Sequence, residues 1–220
     1  MPGRFSSKIF VENGYYHIFN RGVEKRVIFI DDTDYRTFLY FIKYYLAPPD
    51  KKDIKMTKRS LYKEVDLLSY CLMPNHFHLL LKQHSQDGMT KFVRAISTNY
   101  VCYFNIRYQR VGTLFQGKYK AVLVDNDPYL LHVSRYIHLN PRKLDRVGPW
   151  KGSDPLSSYP YSSYGYYLGL KSAEWIKPPE ILNYFQSARK INLQDFLSYE
   201  SFIENYPEDP EIALGKNLLE

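Results

Sequence analysis

The chain has 220 residues, 45% of them hydrophobic, so it can bury one core and carry appendages, and its net charge of +7 points to an anionic partner. Only two cysteines occur, Cys71 and Cys102, and neither sits in a CxxC pair, which excludes a disulfide framework and a thiolate zinc site. The N-terminus (MPGRFSSKIFVENGYY) lacks the apolar core of a signal peptide and no stretch approaches the roughly 18 apolar residues of a membrane span, so a cytoplasmic protein with no membrane partner is expected.

In chain order, residues 15–20 (YYHIFN) are rich in strand formers and predict a first strand that closes at Arg21-Gly22. Asp31-Asp32-Thr33 supplies an N-cap for a helix over DYRTFLYFIKYYL, stopped by Pro48-Pro49. Residues 48–60 are polar and basic and predict an exposed loop. VDLLSYCLM, the Pro74-Asn75 turn and HFHLLLK predict a hairpin of two strands. Residues 86–110 carry a long amphipathic helix pattern. GTLFQGKYKAVLV (112–124) predicts extended chain with a bend at Gly117, and Asp127-Pro128 opens a last helix, PYLLHVSRYIHLN, ended by Pro141. The order β-α-β-β-α-β-α predicts an α+β fold, a ferredoxin-like antiparallel sheet with helices on one face. From about residue 146 the chain turns rich in Gly, Pro, Ser and Tyr, then shows amphipathic stretches at 178–190 and 193–205. The expected division is a unit over 1–145 and a C-terminal extension over 146–220 packed on it.

Three groups of residues carry chemistry. On a strand, His76 and His78 point to one face while Phe77 points to the other, so the two imidazoles could chelate a divalent cation; two incidental surface histidines are the plain alternative. Tyr136 and Asn140 lie four residues apart on one helix face, placing a phenol beside an amide that could serve as a third ligand. Core packing for Tyr136 and a helix-end role for Asn140 are the competing readings. His138 falls on the opposite side of that helix and reads as structural. Lys118 and Lys120 share a face of an extended segment around Tyr119, which suits either a phosphate track or a lysine-protected edge strand. The 22 tyrosines and 13 phenylalanines, set in a basic chain, suit single-stranded nucleic acid, whose bases can stack on them.

Together, YYHIFNRGVEKRVIF (15–29), SYCLMPNHFHLLL (69–81), GTLFQGKYKAVLVDNDPYLLHVSRYIHLNP (112–141) and YPYSSYGYYLG (159–169) resemble the HUH-type tyrosine transposases, specifically the REP-associated branch of the IS200-like family. The resemblance implies a histidine pair on a central strand, a helix carrying a nucleophilic tyrosine, and cleavage of single-stranded DNA hairpins through a 5′-phosphotyrosine. Carried onto this chain, the catalytic residues are Tyr136, His76 and His78. The ligands of a divalent metal, magnesium or manganese, are His76, His78 and Asn140, although by ligand type alone zinc also suits imidazole. The implied DNA contacts are Asn20, Arg21, Lys118, Tyr119, Lys120, Arg135 and Arg142. The chain departs from relatives that carry glutamine at the position of Asn140, arginine at that of Lys118 and tryptophan at that of Tyr161, and Arg142–Asp145 departs from the usual run. Monomer and homodimer both remain open. A hairpin-binding regulator that does not use the chemistry is the alternative. A hydrolase without a covalent step would need a carboxylate near the histidines, and the nearest in sequence are Asp66 and Asp87.

Overall fold

The computed structural model describes residues 10–49, 60–186 and 198–207. Most of the basic segment expected as a loop, and the start of the second C-terminal amphipathic stretch, lie outside the described residues. No described helix is long and apolar enough to cross a membrane.

Strand β1 (Tyr15–Arg21) leads through a tight turn into helix α1 (Asp32–Leu46). Asp31 caps α1 by accepting a hydrogen bond from the Asp34 amide, satisfying one of the amides left over at a helix start. Tyr35, Phe38, Ile42 and Leu46 then recur at helical spacing and are buried. Strands β2 (Val65–Met73) and β3 (His76–Gln83) form the expected hairpin, followed by α2 (Gly88–Arg107), β4 (Lys120–Val124) and α3 (Asp127–Leu139). The sheet runs β2-β3-β1-β4, every pair antiparallel. This is the ferredoxin-like order, and the fold is α+β as the sequence indicates.

One expectation needs correction. Helices on one face describes α1 and α2 only: Phe77 packs against Phe38 of α1 at 5.0 Å, and Phe38 against Tyr100 of α2 at 5.0 Å. Helix α3 covers the opposite face, where Tyr136 meets His78. The cause is visible in the strands, since Tyr16–Asn20 and Phe77–Leu81 are buried as continuous runs, the mark of strands covered on both sides. Over 112–124 the bend expected at Gly117 is present, and the strand is confined to the end of the segment. Phe115 makes an isolated bridge to Gly22, Gly117 turns the chain at φ +79°, and only from Lys120 does the segment join the sheet.

Beyond α3, a short ribbon of β5 (Arg146–Val147) and β6 (Trp150–Lys151) precedes helices α4 (Tyr164–Tyr167), α5 (Pro179–Gln186) and α6 (Tyr199–Asn205). The Tyr- and Ser-rich stretch between them runs along the outer edge of β2. The amide of Leu72 donates to Tyr161 O at 2.9 Å, the amide of Ser163 to Tyr70 O at 3.0 Å, and the hydroxyl of Tyr159 to Leu72 O at 2.7 Å. One buried apolar cluster extends from Tyr16 of β1 to Ile203 of α6.

Candidate active site

The pleat of β3 turns His76 and His78 to the same face, with ring centroids 4.9 Å apart and planes at 88°. Each ring is oriented by a partner on Nδ1. His76 Nδ1 lies 2.6 Å from Asn75 Oδ1, an oxygen that can only accept, so His76 carries its proton there and its lone pair on Nε2. His78 Nδ1 lies 3.0 Å from Nε2 of His17 on the neighbouring strand, and the two rings stack. Burial pushes the His17 imidazolium down to about 3 and holds His78 well below the usual histidine range, with the charges of His76, His17 and Lys143 adding to the second effect. His78 is therefore neutral at pH 7, the form a metal ligand requires.

Helix α3 brings Tyr136 down onto this pair. Its ring meets His78 edge-on at 5.4 Å and His17 at 5.9 Å, and the side chain is only 3% exposed. Lys143, in the 3-10 turn that follows α3, holds its ammonium 5.1 Å from the Tyr136 ring centre. Asn140 sits one turn beyond Tyr136. Its Nδ2 donates to Tyr136 O at 2.9 Å, whereas its Oδ1 is buried with no hydrogen-bond partner among the described residues. A buried carbonyl left unsatisfied costs ~1–3 kcal/mol, and a cation would satisfy it. Imidazole nitrogen and amide oxygen are donor types that suit a divalent ion. No group of three His, Cys, Asp or Glu side chains that could hold a metal ion exists among the described residues.

The expected DNA contacts divide. Asn20, Arg21, Lys118 and Lys120 line one pocket of about 140 Å³ with Phe19, Gln116 and His76. Within it Lys120 lies 5.4 Å above the Phe19 ring. Asn20 is 8% exposed and mainly holds the bend, donating to Gly117 O at 3.2 Å and accepting from the Arg21 amide at 2.9 Å. Tyr119 is a correction: it does not line that pocket, and its hydroxyl donates to Thr90 of α2 at 3.3 Å. Arg135 is another. It is 4% exposed, and its guanidinium donates to Phe202 O and Tyr206 O of the C-terminal segment, both at 3.1 Å. Arg142 is exposed but engaged with the carbonyls of Gly152 and Asp154, each at 3.0 Å. His138 is buried between the Tyr199 hydroxyl at 2.7 Å and the Ser163 hydroxyl at 2.6 Å.

Sequence reasoning missed His17, Asn75 and Lys143. Asn75 was legible as the neighbour of His76, and Lys143 as the position seven after Tyr136. His17 needed the pairing of Phe19 with His78, which no sequence pattern announces.

The family model described as "Transposase IS200 like" matches residues 10–140. Among solved structures, a REP-associated tyrosine transposase bound to a REP hairpin aligns with a TM-score of 0.53 at 16% identity, over 78% of this chain and 90% of that one. A candidate transposase from Deinococcus radiodurans R1 aligns with a TM-score of 0.37 at 16% identity, over 58% of this chain and 88% of that one. A search of curated proteins found no match.

Proposed function

Since the chain belongs to the IS200-like transposase family, whose members process DNA, we propose that it cleaves and rejoins single-stranded DNA containing a hairpin, with Tyr136 as nucleophile. In this reading His76, His78 and Asn140 hold a magnesium or manganese ion. The observation that carries it is the meeting of Tyr136 with His78 across the helix–sheet interface, ring centres 5.4 Å apart. The hairpin bound by the similarly folded REP-associated protein supports the choice of substrate.

The phenol oxygen of Tyr136 bonds to the phosphorus as the bond from phosphorus to the 3′ oxygen breaks. The phenol gives up its proton, the departing 3′ oxygen takes one, and a 5′-phosphotyrosine remains. One phosphoester replaces another, so a 3′-hydroxyl can reverse the step without ATP. A free tyrosine, with a pKa near ~10, is a poor nucleophile at neutral pH. A divalent ion, when bound, draws charge from the phosphate and orients it. The chain's own residues do the rest: β3 holds two imidazoles rigidly, α3 presents the phenol beside them, and Lys143 adds positive charge over the ring. Arg21, Lys118 and Lys120 line the adjoining pocket and supply phosphate contacts for the strand.

Burial of Tyr136 favours one second reading, a hairpin-binding protein whose chemistry is unused. A labelled single-stranded hairpin incubated with protein and Mn²⁺, then run under denaturing conditions, separates the two. A covalent adduct that Tyr136→Phe abolishes, with hairpin binding retained, is expected. Binding without any adduct would establish the second reading, and an adduct that survives the substitution would move the nucleophile elsewhere.

A further inference from the structure

His17 stands in the middle of β1, fully buried, without a role in the chemistry described so far. Its Nε2 is 3.0 Å from His78 Nδ1, and the rings stack with centroids 5.1 Å apart at 20°. Its own Nδ1 is buried with no hydrogen-bond partner among the described residues, so its polar contact there is to His78. An apolar ring would fill the same space without desolvating an imidazole. The position therefore acts through the hydrogen bond it makes.

We propose that His17 is a positioning residue for His78: it accepts the His78 Nδ1–H, which fixes the tautomer that leaves the lone pair on His78 Nε2 and holds the ring plane. The inference rests on the metal site proposed above. A neutral imidazole carries one N–H, and a single proton lies between the two facing nitrogens. Were that proton to belong to His17, His78 would carry its own on Nε2 and offer a cation a donor instead of a lone pair. With the proton on His78 Nδ1, the arrangement repeats that of His76, whose Nδ1–H is fixed by Asn75 Oδ1 at 2.6 Å. Both ligands then present Nε2, each set by a neighbour that accepts on the far side of the ring. His17 itself carries its proton on Nδ1.

Two measurements on the full chain test this. In long-range 1H–15N imidazole spectra with Mg²⁺, His78 and His17 are both expected in the Nδ1–H form; His78 in the Nε2–H form with Mg²⁺ bound overturns the proposal. In Mn²⁺ titrations followed by electron paramagnetic resonance, His17→Phe is expected to weaken binding ~10- to 100-fold, while His17→Gln, whose amide oxygen can accept the same N–H, stays within roughly threefold of wild type. A Phe variant that binds as tightly as wild type overturns the proposal. Should that variant not fold, the wild-type spectra decide. Wild-type protein that binds no Mn²⁺ sinks the metal reading along with this one, whereas normal wild-type binding with an unaffected Phe variant sinks this one alone.

Discussion

At the scale of single residues, the candidate site depends on three donors of unequal strength. His76 and His78 are fixed by the pleat and by their Nδ1 partners, whereas Asn140 offers an amide oxygen that water can replace. His76→Ala and His78→Ala are each expected to remove metal-dependent cleavage of a single-stranded hairpin, and Asn140→Ala to reduce it less. Cleavage that persists unchanged in EDTA would remove the metal from the mechanism. The buried histidines also make a prediction about stability. His17 and His138 have folded-state values near 3, against ~6.5 for an unfolded imidazole. Below pH 6.5 the unfolded chain therefore takes up protons that the native chain refuses, so stability is present above that pH and is lost as the pH falls. Each group contributes a slope of at most about 1.4 kcal/mol per pH unit. Urea midpoints should be clearly lower at pH 5.5 than at pH 7.5, and equal midpoints would mean these imidazoles are not held neutral.

At the scale of elements, α3 is gripped on two sides. One face presents Tyr136 to the sheet, and from the other Arg135 and His138 reach into the C-terminal segment. Removing Arg135 leaves the carbonyls of Phe202 and Tyr206 without their charged donor. Arg135→Ala should therefore lower stability by about 1.5–3 kcal/mol per lost bond, on the scale of hydrogen bonds to charged groups. Lys118→Ala and Lys120→Ala, both at exposed side chains, should leave stability alone and weaken DNA binding instead. A melt and a binding titration on the same three variants check the contrast; the opposite pattern would return Arg135 to the DNA surface. The same helix marks where the sequence was legible. Spacing of 3.6 and 2 placed Tyr136 with Asn140 and His76 with His78, because those relations are local. Arg135 looked like a DNA contact because it neighbours Tyr136, and its true partners lie some seventy positions later in the chain. His17 was hidden for a similar reason: it belongs to the site only through strand register.

At the scale of the whole molecule, the proposed action on a single strand along the pocket of Arg21, Lys118 and Lys120 predicts a preference for unpaired DNA. A single strand with a hairpin should compete better than blunt duplex of the same sequence, since stacked bases contribute ~1–3 kcal/mol each. Affinity should fall log-linearly with salt, and each phosphate-contacting lysine removed should flatten the slope by about 0.7 for a single strand. Equal affinity for hairpin strand and duplex would reduce the surface to a general polyanion patch. The stretch along β2 has a further consequence, for anyone who wants a smaller working version of this protein. A fragment cut at residue 145, where the composition changes, would strip the partners from the β2 groups that Tyr159, Tyr161 and Ser163 now satisfy, and from Leu68 O, which takes the Tyr167 hydroxyl at 2.9 Å. A bare outer strand offers its backbone to any similar strand. Such a fragment should self-associate in light scattering, whereas one that keeps the chain at least through Tyr167 retains its own stopper on that edge. The useful cut for a trimmed reagent is therefore set by Tyr159, Tyr161, Ser163 and Tyr167, well past the residues of the proposed site.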